Sequence, residues 1–186
     1  MSSNPNRQLY GRNALIAFYR GRASPGRPLL FLDFDGVLCY GRGYDSYNVN
    51  PLAPPVDLWV DESARILLAV VASHRPRVVI TSSWQRVLDR EQLAQLLRAT
   101  GLSLVADALH SQHWAAPQAD SESRHRAVER WLYAHYDGGP IAVLDDSLSG
   151  TGLRGSALDL AGGVVLCEPS RGLTADRIDE LLAALG

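Results

Sequence analysis

Two stretches of this sequence bring carboxylates in pairs to the end of an apolar run. In Leu29-Leu30-Phe31-Leu32-Asp33-Phe34-Asp35-Gly36 the acids stand two apart, and in Ile141-Ala142-Val143-Leu144-Asp145-Asp146 they are adjacent. Acids at the end of a buried strand are costly unless something compensates them. A divalent cation with oxygen ligands would do so. The bland alternative is a solvated turn, where Asp and Gly are common. A third apolar run, Arg77-Val78-Val79-Ile80, ends in Thr81-Ser82-Ser83. Its hydroxyls and backbone N–H groups could hold an anionic oxygen, or a serine there could cap the next helix. Arg124 falls in the first turn of a helical stretch, where its charge opposes the helix dipole. A base in that place implies a partner elsewhere, although a solvated charged face is the bland reading. Arg126 is its rival and Arg86 a further phosphate-binding candidate. Paired acids, hydroxyl donors and a guanidinium are the parts that phosphoryl transfer needs.

The elements that position these residues alternate. Short apolar runs at 29–33, 77–81, 102–105, 141–145 and 163–167 read as strands buried on both faces. Between them, Asp61 to His74, residues 84 to 100 with a restart near Asp89, Glu122 to Tyr136 and Thr174 to Leu185 show helical periodicity. Asp57 or Asp61 can cap the first helix, and Ser121 or Ser123 the third. Gly101 sits where a helix ends in the left-handed conformation. Alternation of this kind predicts an α/β fold with a parallel sheet covered on both faces.

The motifs fall in a familiar order. Leu-Asp-Phe-Asp-Gly-Val-Leu, then Thr81 at a strand end, then Arg124-x-x-x-Val-x-x-Trp-Leu, then Asp145-Asp146 resemble the four motifs of the haloacid dehalogenase (HAD) superfamily of phosphotransferases. Thr-Ser-Ser-Trp and the paired Asp look most like the small, capless HAD domains of RNA-repair proteins. The resemblance covers residues 29 to 146. It implies a Rossmannoid three-layer sandwich, a five-stranded parallel sheet in the order 5-4-1-2-3, and a minimal cap. It further implies a Mg²⁺-dependent phosphatase in which Asp33 is the nucleophile and Asp35 the acid and base. Asp33, the Asp35 backbone carbonyl and Asp146 would hold the metal with Asp145 close by. Thr81 and Arg124 would hold the phosphoryl oxygens. HAD enzymes usually carry Lys in the third motif, so Arg substitutes here.

The remaining sequence sets bounds. A length of 186 residues, 46% hydrophobic and 20% charged, suits one soluble domain, expected over 28–186. All 18 basic residues are Arg, so a P-loop with its Lys is excluded. A net charge of −2 gives no overall nucleic-acid or membrane footprint. No apolar run reaches the length of a membrane span. Cys39 and Cys167 are far apart and read as buried thiols of a reducing cytoplasm. Residues 1–27, with Arg7, Arg12, Arg20, Arg22 and Arg27, read as a partly ordered basic leader or an arm for a polyanion. The flap at 39–50 offers Tyr40, Arg42, Tyr44 and Tyr47 to stack on bases or bind phosphate, or as ordinary hairpin aromatics. Ser82, Arg86, Tyr40, Arg42 and Tyr44 make up the expected substrate-binding set. Residues 106–121 read as a long loop facing substrate, with His110, His113 and Trp114. The expected partner is a phosphorylated small molecule or nucleic-acid end. A phosphate-binding module without turnover and an interaction domain are the alternatives.

Overall fold

The computed structural model describes residues 26–41, 43, 48–50 and 53–186. Strands β1 (Leu29–Leu32), β2 (Arg77–Ile80), β3 (Ile141–Asp146) and β4 (Val164–Cys167) form one parallel sheet in the order β2-β1-β3-β4. Six α-helices accompany them among the described residues: α1 (Asp61–His74), α2 (Arg90–Ala99), α3 (Ser103–Ala108), α4 (Arg124–His135), α5 (Ala157–Leu160) and α6 (Ile178–Leu185). A single 3₁₀ turn, Ser83–Arg86, follows β2.

Successive side chains of a strand point to opposite faces, and here both faces are apolar. Leu30, Leu32, Val78, Ile80, Ala142 and Leu144 join the core formed with α1, α2, α3 and α6. Leu29, Phe31, Val79, Ile141 and Val143 join the smaller core formed with α4 and α5. Trp131 of α4 docks edge-on against Phe31, ring centroids 5.2 Å apart. That geometry is favoured by the aromatic quadrupole and anchors the helix on this face. The helix–sheet–helix layering follows directly from two apolar faces that both need cover.

The local signals act as their chemistry requires. Asp89 caps α2 in a capping box with Gln92. The Ser123 side chain accepts from the Arg126 N–H at the start of α4. Helix α1 instead begins at Val60 without a side-chain cap, although Asp61 and Glu62 still complement its dipole. It ends at Arg75 in the left-handed region just before Pro76. Cys39 and Cys167 are free and buried, and burial pushes the Cys167 thiol up to about 12. No helix among the described residues is long and apolar enough to cross a membrane.

One expected strand is absent. Residues 102–105 lie in the start of helix α3, so the five-strand count is corrected to four. Leu102, Val105, Ala106 and Leu109 are all buried. They recur at helical spacing, a period that the short run Leu102-Ser103-Leu104-Val105 conceals. The place beside β2 is taken by an irregular extended segment, 109–116. It bridges Val78 through Leu109 and Ile80 through Ala115. His110 N–H donates to the Val78 carbonyl at 2.8 Å, and Ala116 N–H to that of Ile80 at 2.9 Å. Part of the stretch expected as a loop therefore closes the sheet edge.

This edge is testable. Ala116→Pro deletes the donor to the Ile80 carbonyl, and leaving a buried acceptor unpaired costs about 1–3 kcal/mol. Ala115→Pro touches a residue whose N–H points away from β2 and should cost less. Thermal unfolding in which the two variants lose equal stability would contradict the edge pairing.

Candidate active site

The site is built by parity. In β1, Asp33 continues the face of Leu29 and Phe31; in β3, Asp145 continues that of Ile141 and Val143. Both therefore emerge on the side covered by α4, whose first residue is Arg124. The Arg124 guanidinium lies between them, Nε 2.8 Å from Asp145 Oδ2 and Nη2 3.6 Å from Asp33 Oδ1. The closer contact is an ion pair without the alignment of a directed hydrogen bond. Arg124 is 5% exposed, Asp33 1% and Asp145 0%, so this charge cluster is desolvated. Thr151 Oγ1 accepts from the Arg124 N–H at 3.0 Å and steadies the helix start.

Asp146 joins from the opposite strand face. Its Oδ1 accepts from the N–H groups of Leu148 and Ser149, at 2.7 and 3.2 Å. Gly36 makes room for it. Its φ is +74°, and a Cβ there would lie 2.8 Å from the Asp146 Cβ. Glycine alone satisfies both conditions. Oxygens of Asp33, Asp145 and Asp146 thus lie within 4.8 Å of one another.

Ser149 stands in the middle. Its Oγ is 3.0 Å from Asp33 Oδ2, 2.7 Å from Asp145 Oδ1 and in close contact with Asp146 Oδ2. A hydroxyl has one proton to donate, so it serves only one of three carboxylates at a time. Fully ionised, the three acids against one guanidinium leave two buried negative charges. Burial accordingly pushes the Asp33 carboxyl up from its ordinary value despite Arg124 and Ser149. It pushes Asp145, which also faces Asp33, up to about 8. A divalent cation with hard-oxygen preference fits both the charge and the donor set.

Beside this cluster, Thr81 Oγ1 and Ser82 Oγ are buried with no hydrogen-bond partner. Buried hydroxyls normally find one. Thr81, which follows β2 in register with Asp33, matches a donor that a bound anion would use. Asp35 turns elsewhere. Its carboxylate accepts from the Trp84 indole N–H at 3.1 and 3.2 Å and from Ser83 Oγ at 3.3 Å. Its side chain is therefore held by Trp84 and Ser83, apart from the three acids that converge.

A family model for the HAD domain in Swiss Army Knife RNA repair proteins matches residues 29–178. The chain belongs to this family. No curated protein and no solved structure matches it significantly. Membership in the HAD family carries phosphatase-type activity in general, and this HAD domain has the buried acidic cluster that such chemistry uses.

Of the expected residues, the HAD domain brings Asp33, Asp145, Asp146 and Arg124 into one cluster, with Thr81 and Ser82 buried and unpaired. Arg126 is exposed on α4. Arg86 is exposed and donates to the Gln118 carbonyl at 3.1 Å. Tyr40 is a packing residue here. Ser63 Oγ donates to the Leu173 carbonyl at 2.7 Å, so the Tyr40 hydroxyl, 3.2 Å away, is the donor to Ser63. Its ring fills the space that a side chain at Gly172 would need. Arg42, Tyr44 and Tyr47, and the leader up to residue 25, lie outside the described residues. Sequence reasoning missed Ser149 and the Trp84 clamp on Asp35. Ser149's place three residues beyond the paired acids was the available signal.

The raised carboxyls fix a pH dependence. The Asp145 carboxyl ordinarily ionises near 3.8 but holds its proton to about 8 when folded. Between those values folding takes up a proton, so stability falls as pH rises through the window. Melts of metal-free protein should show the midpoint falling towards pH 8, with a shallower slope in Asp145→Asn. Millimolar Mg²⁺ should raise the midpoint most at high pH, because metal ligands bind deprotonated. A midpoint flat across the window and indifferent to Mg²⁺ would contradict this account.

Proposed function

We propose that this HAD domain is a Mg²⁺-dependent phosphomonoester hydrolase working through an aspartyl-phosphate, with nucleic-acid ends as its substrate class. The observation that carries the reading is the buried set of Asp33, Asp145 and Asp146 facing Arg124, beside the unpaired hydroxyls of Thr81 and Ser82.

Each residue has a chemical task. The phosphoryl group sits with its oxygens on Thr81, the neighbouring backbone and Arg124, which offset its charge. An Asp33 oxygen attacks phosphorus as the bond to the leaving oxygen breaks. Asp35 delivers its proton to that oxygen. In the second step Asp35 takes a proton from water, which attacks the acyl-phosphate, freeing phosphate and restoring Asp33. Trp84 and Ser83 hold the Asp35 carboxylate in one orientation throughout. Asp33, the Asp35 backbone carbonyl and Asp146 would hold Mg²⁺, with Asp145 beside them. When bound, the ion offsets the repulsion between carboxylate and phosphate. Ser149 keeps the acids converged.

The nucleic-acid end draws support from the family's description as an RNA-repair domain. It also draws on the connection between β1 and α1, whose described residues contain no helix and no strand of the sheet that could cover the mouth. A module that binds phosphate without turnover is favoured by one feature, the ion pair that already engages Arg124 with Asp145. Release of phosphate from an aryl phosphate separates the two.

Asp33→Asn should abolish turnover with the fold intact, because only the carboxylate can form the acyl-phosphate. Retained activity beyond a few per cent of wild type would remove Asp33 as the nucleophile. Arg124→Ala should cost about 10²–10³-fold, the usual worth of a donor to transition-state charge, whereas exposed Arg126→Ala should stay near wild type. The reverse order would move the third-motif role to Arg126.

A terminally phosphorylated oligonucleotide should exceed a mononucleotide in kcat/KM, and added salt should erode the advantage through lost phosphate contacts. Equal values without salt dependence would leave a small-molecule phosphatase.

A further inference from the structure

A cleft of about 450 Å³ lies between the 3₁₀ turn, the 109–116 segment and α4, and shares no residue with the acidic cluster. Its lining includes Gln85, His113, Trp114, Arg130, Trp131 and His135. The volume is that of a small-ligand pocket. Two elements that build the cluster also build the cleft. Gln85 lies three residues beyond Ser82 in the 3₁₀ turn, roughly 6 Å at ~2.0 Å per residue. Arg130, Trp131 and His135 lie on α4, which begins with Arg124; Arg130 is about 9 Å along at 1.5 Å per residue. The cleft thus extends away from the acidic cluster along α4, with Gln85 and Arg130 at its near end and His135, eleven residues beyond Arg124, about 16 Å along the helix.

Its walls are flat and aromatic. The His113 and His135 rings stack at 3.7 Å with 12° between planes, and Trp131 meets His135 edge-on at 5.3 Å. Trp131 is locked by its indole N–H donating to the His113 carbonyl at 3.0 Å. Burial and neighbouring His113 hold the His135 imidazole below its ordinary value. Gln85 supplies the polar test. Its Nε2 donates to the Ala116 carbonyl at 3.2 Å, which fixes the orientation of the amide. That leaves Gln85 Oε1 buried without a donor. Arg130 at the rim is held by Glu122 at 2.8 Å and by the Pro117 carbonyl at 2.6 Å.

Resting on the reading of the acidic cluster as a phosphomonoester site, we propose that this cleft is a nucleobase subsite. It takes a base of the substrate strand, stacked on the histidine and tryptophan wall, with an edge N–H donated to Gln85 Oε1. Stacking on aromatic side chains is sequence-tolerant because every base has a π-face. An unpaired buried acceptor demands a donor and discriminates against ligands that lack one.

Adenosine and purine riboside differ in the exocyclic amine, adenosine's only donor on that edge of the base. Both should quench tryptophan fluorescence saturably, since Trp114 and Trp131 line the cleft, with adenosine binding about tenfold tighter. Gln85→Met should bring adenosine to the riboside's affinity, and His135→Ala should weaken both nucleosides. No saturable binding, or equal affinity for the two nucleosides in wild-type protein, would overturn the subsite, and that comparison needs no variant. Hydrolysis of 4-nitrophenyl phosphate, followed in parallel, judges the phosphatase reading separately. Its failure would sink that reading while the nucleoside titration still decides the cleft.

Discussion

Everything in this domain turns on concentrating negative charge where water cannot reach it. Asp33, Asp145 and Asp146 are each less than a twentieth exposed, with Arg124 as the cation among them. Isolated, such charges would be prohibitively costly. They are tolerable because their compensation is divided among a guanidinium, a shared hydroxyl, backbone donors and retained protons. A cation would complete that set. The cluster therefore carries buried negative charge in excess of its guanidinium, which a bound cation would offset.

The scaffold's part is to make that concentration repeatable. Two parallel neighbours, β1 and β3, end in acids of the same parity, so two carboxylates converge without any unusual backbone. The exception is Gly36, where positive φ and the absence of a Cβ let Asp146 approach from the other face. Helix α4 then delivers Arg124 to Asp33 and Asp145, whose charges offset its unfavourable position in the helix dipole.

The sequence made the strand-borne acids legible because apolar runs that end in Asp are locally encoded. The same holds for the boundaries of α2 and α4, where Asp89 and Ser123 announce the helix starts. Two kinds of feature were not legible. The run at 102–105 is too short for its period to separate strand from helix, and only burial of Leu102, Val105, Ala106 and Leu109 decides it. The contacts of Ser149 with Asp33, and of Trp84 with Asp35, join residues 116 and 49 positions apart. No local pattern encodes such a pairing. Tyr40 shows a related limit: an aromatic in the flap suits either a binding or a packing role, and only the contact of its hydroxyl with Ser63 shows the packing.

The segment at 109–116 closes the sheet edge through a few backbone bonds and isolated bridges rather than as a regular strand. Irregular pairing of this kind constrains little of the side-chain sequence. The same residues form one wall of the aromatic cleft, while the reactive groups sit on β1, β3 and α4, whose register is fixed by full ladders and core packing. The proposed subsite thus shares α4 with the acidic cluster, but its other wall comes from a part of the chain held less tightly. Substitutions at exposed positions of that wall, such as Gln112 and Pro117, would reshape the cleft and leave the acids undisturbed, which makes this edge a place to redirect the proposed specificity by design.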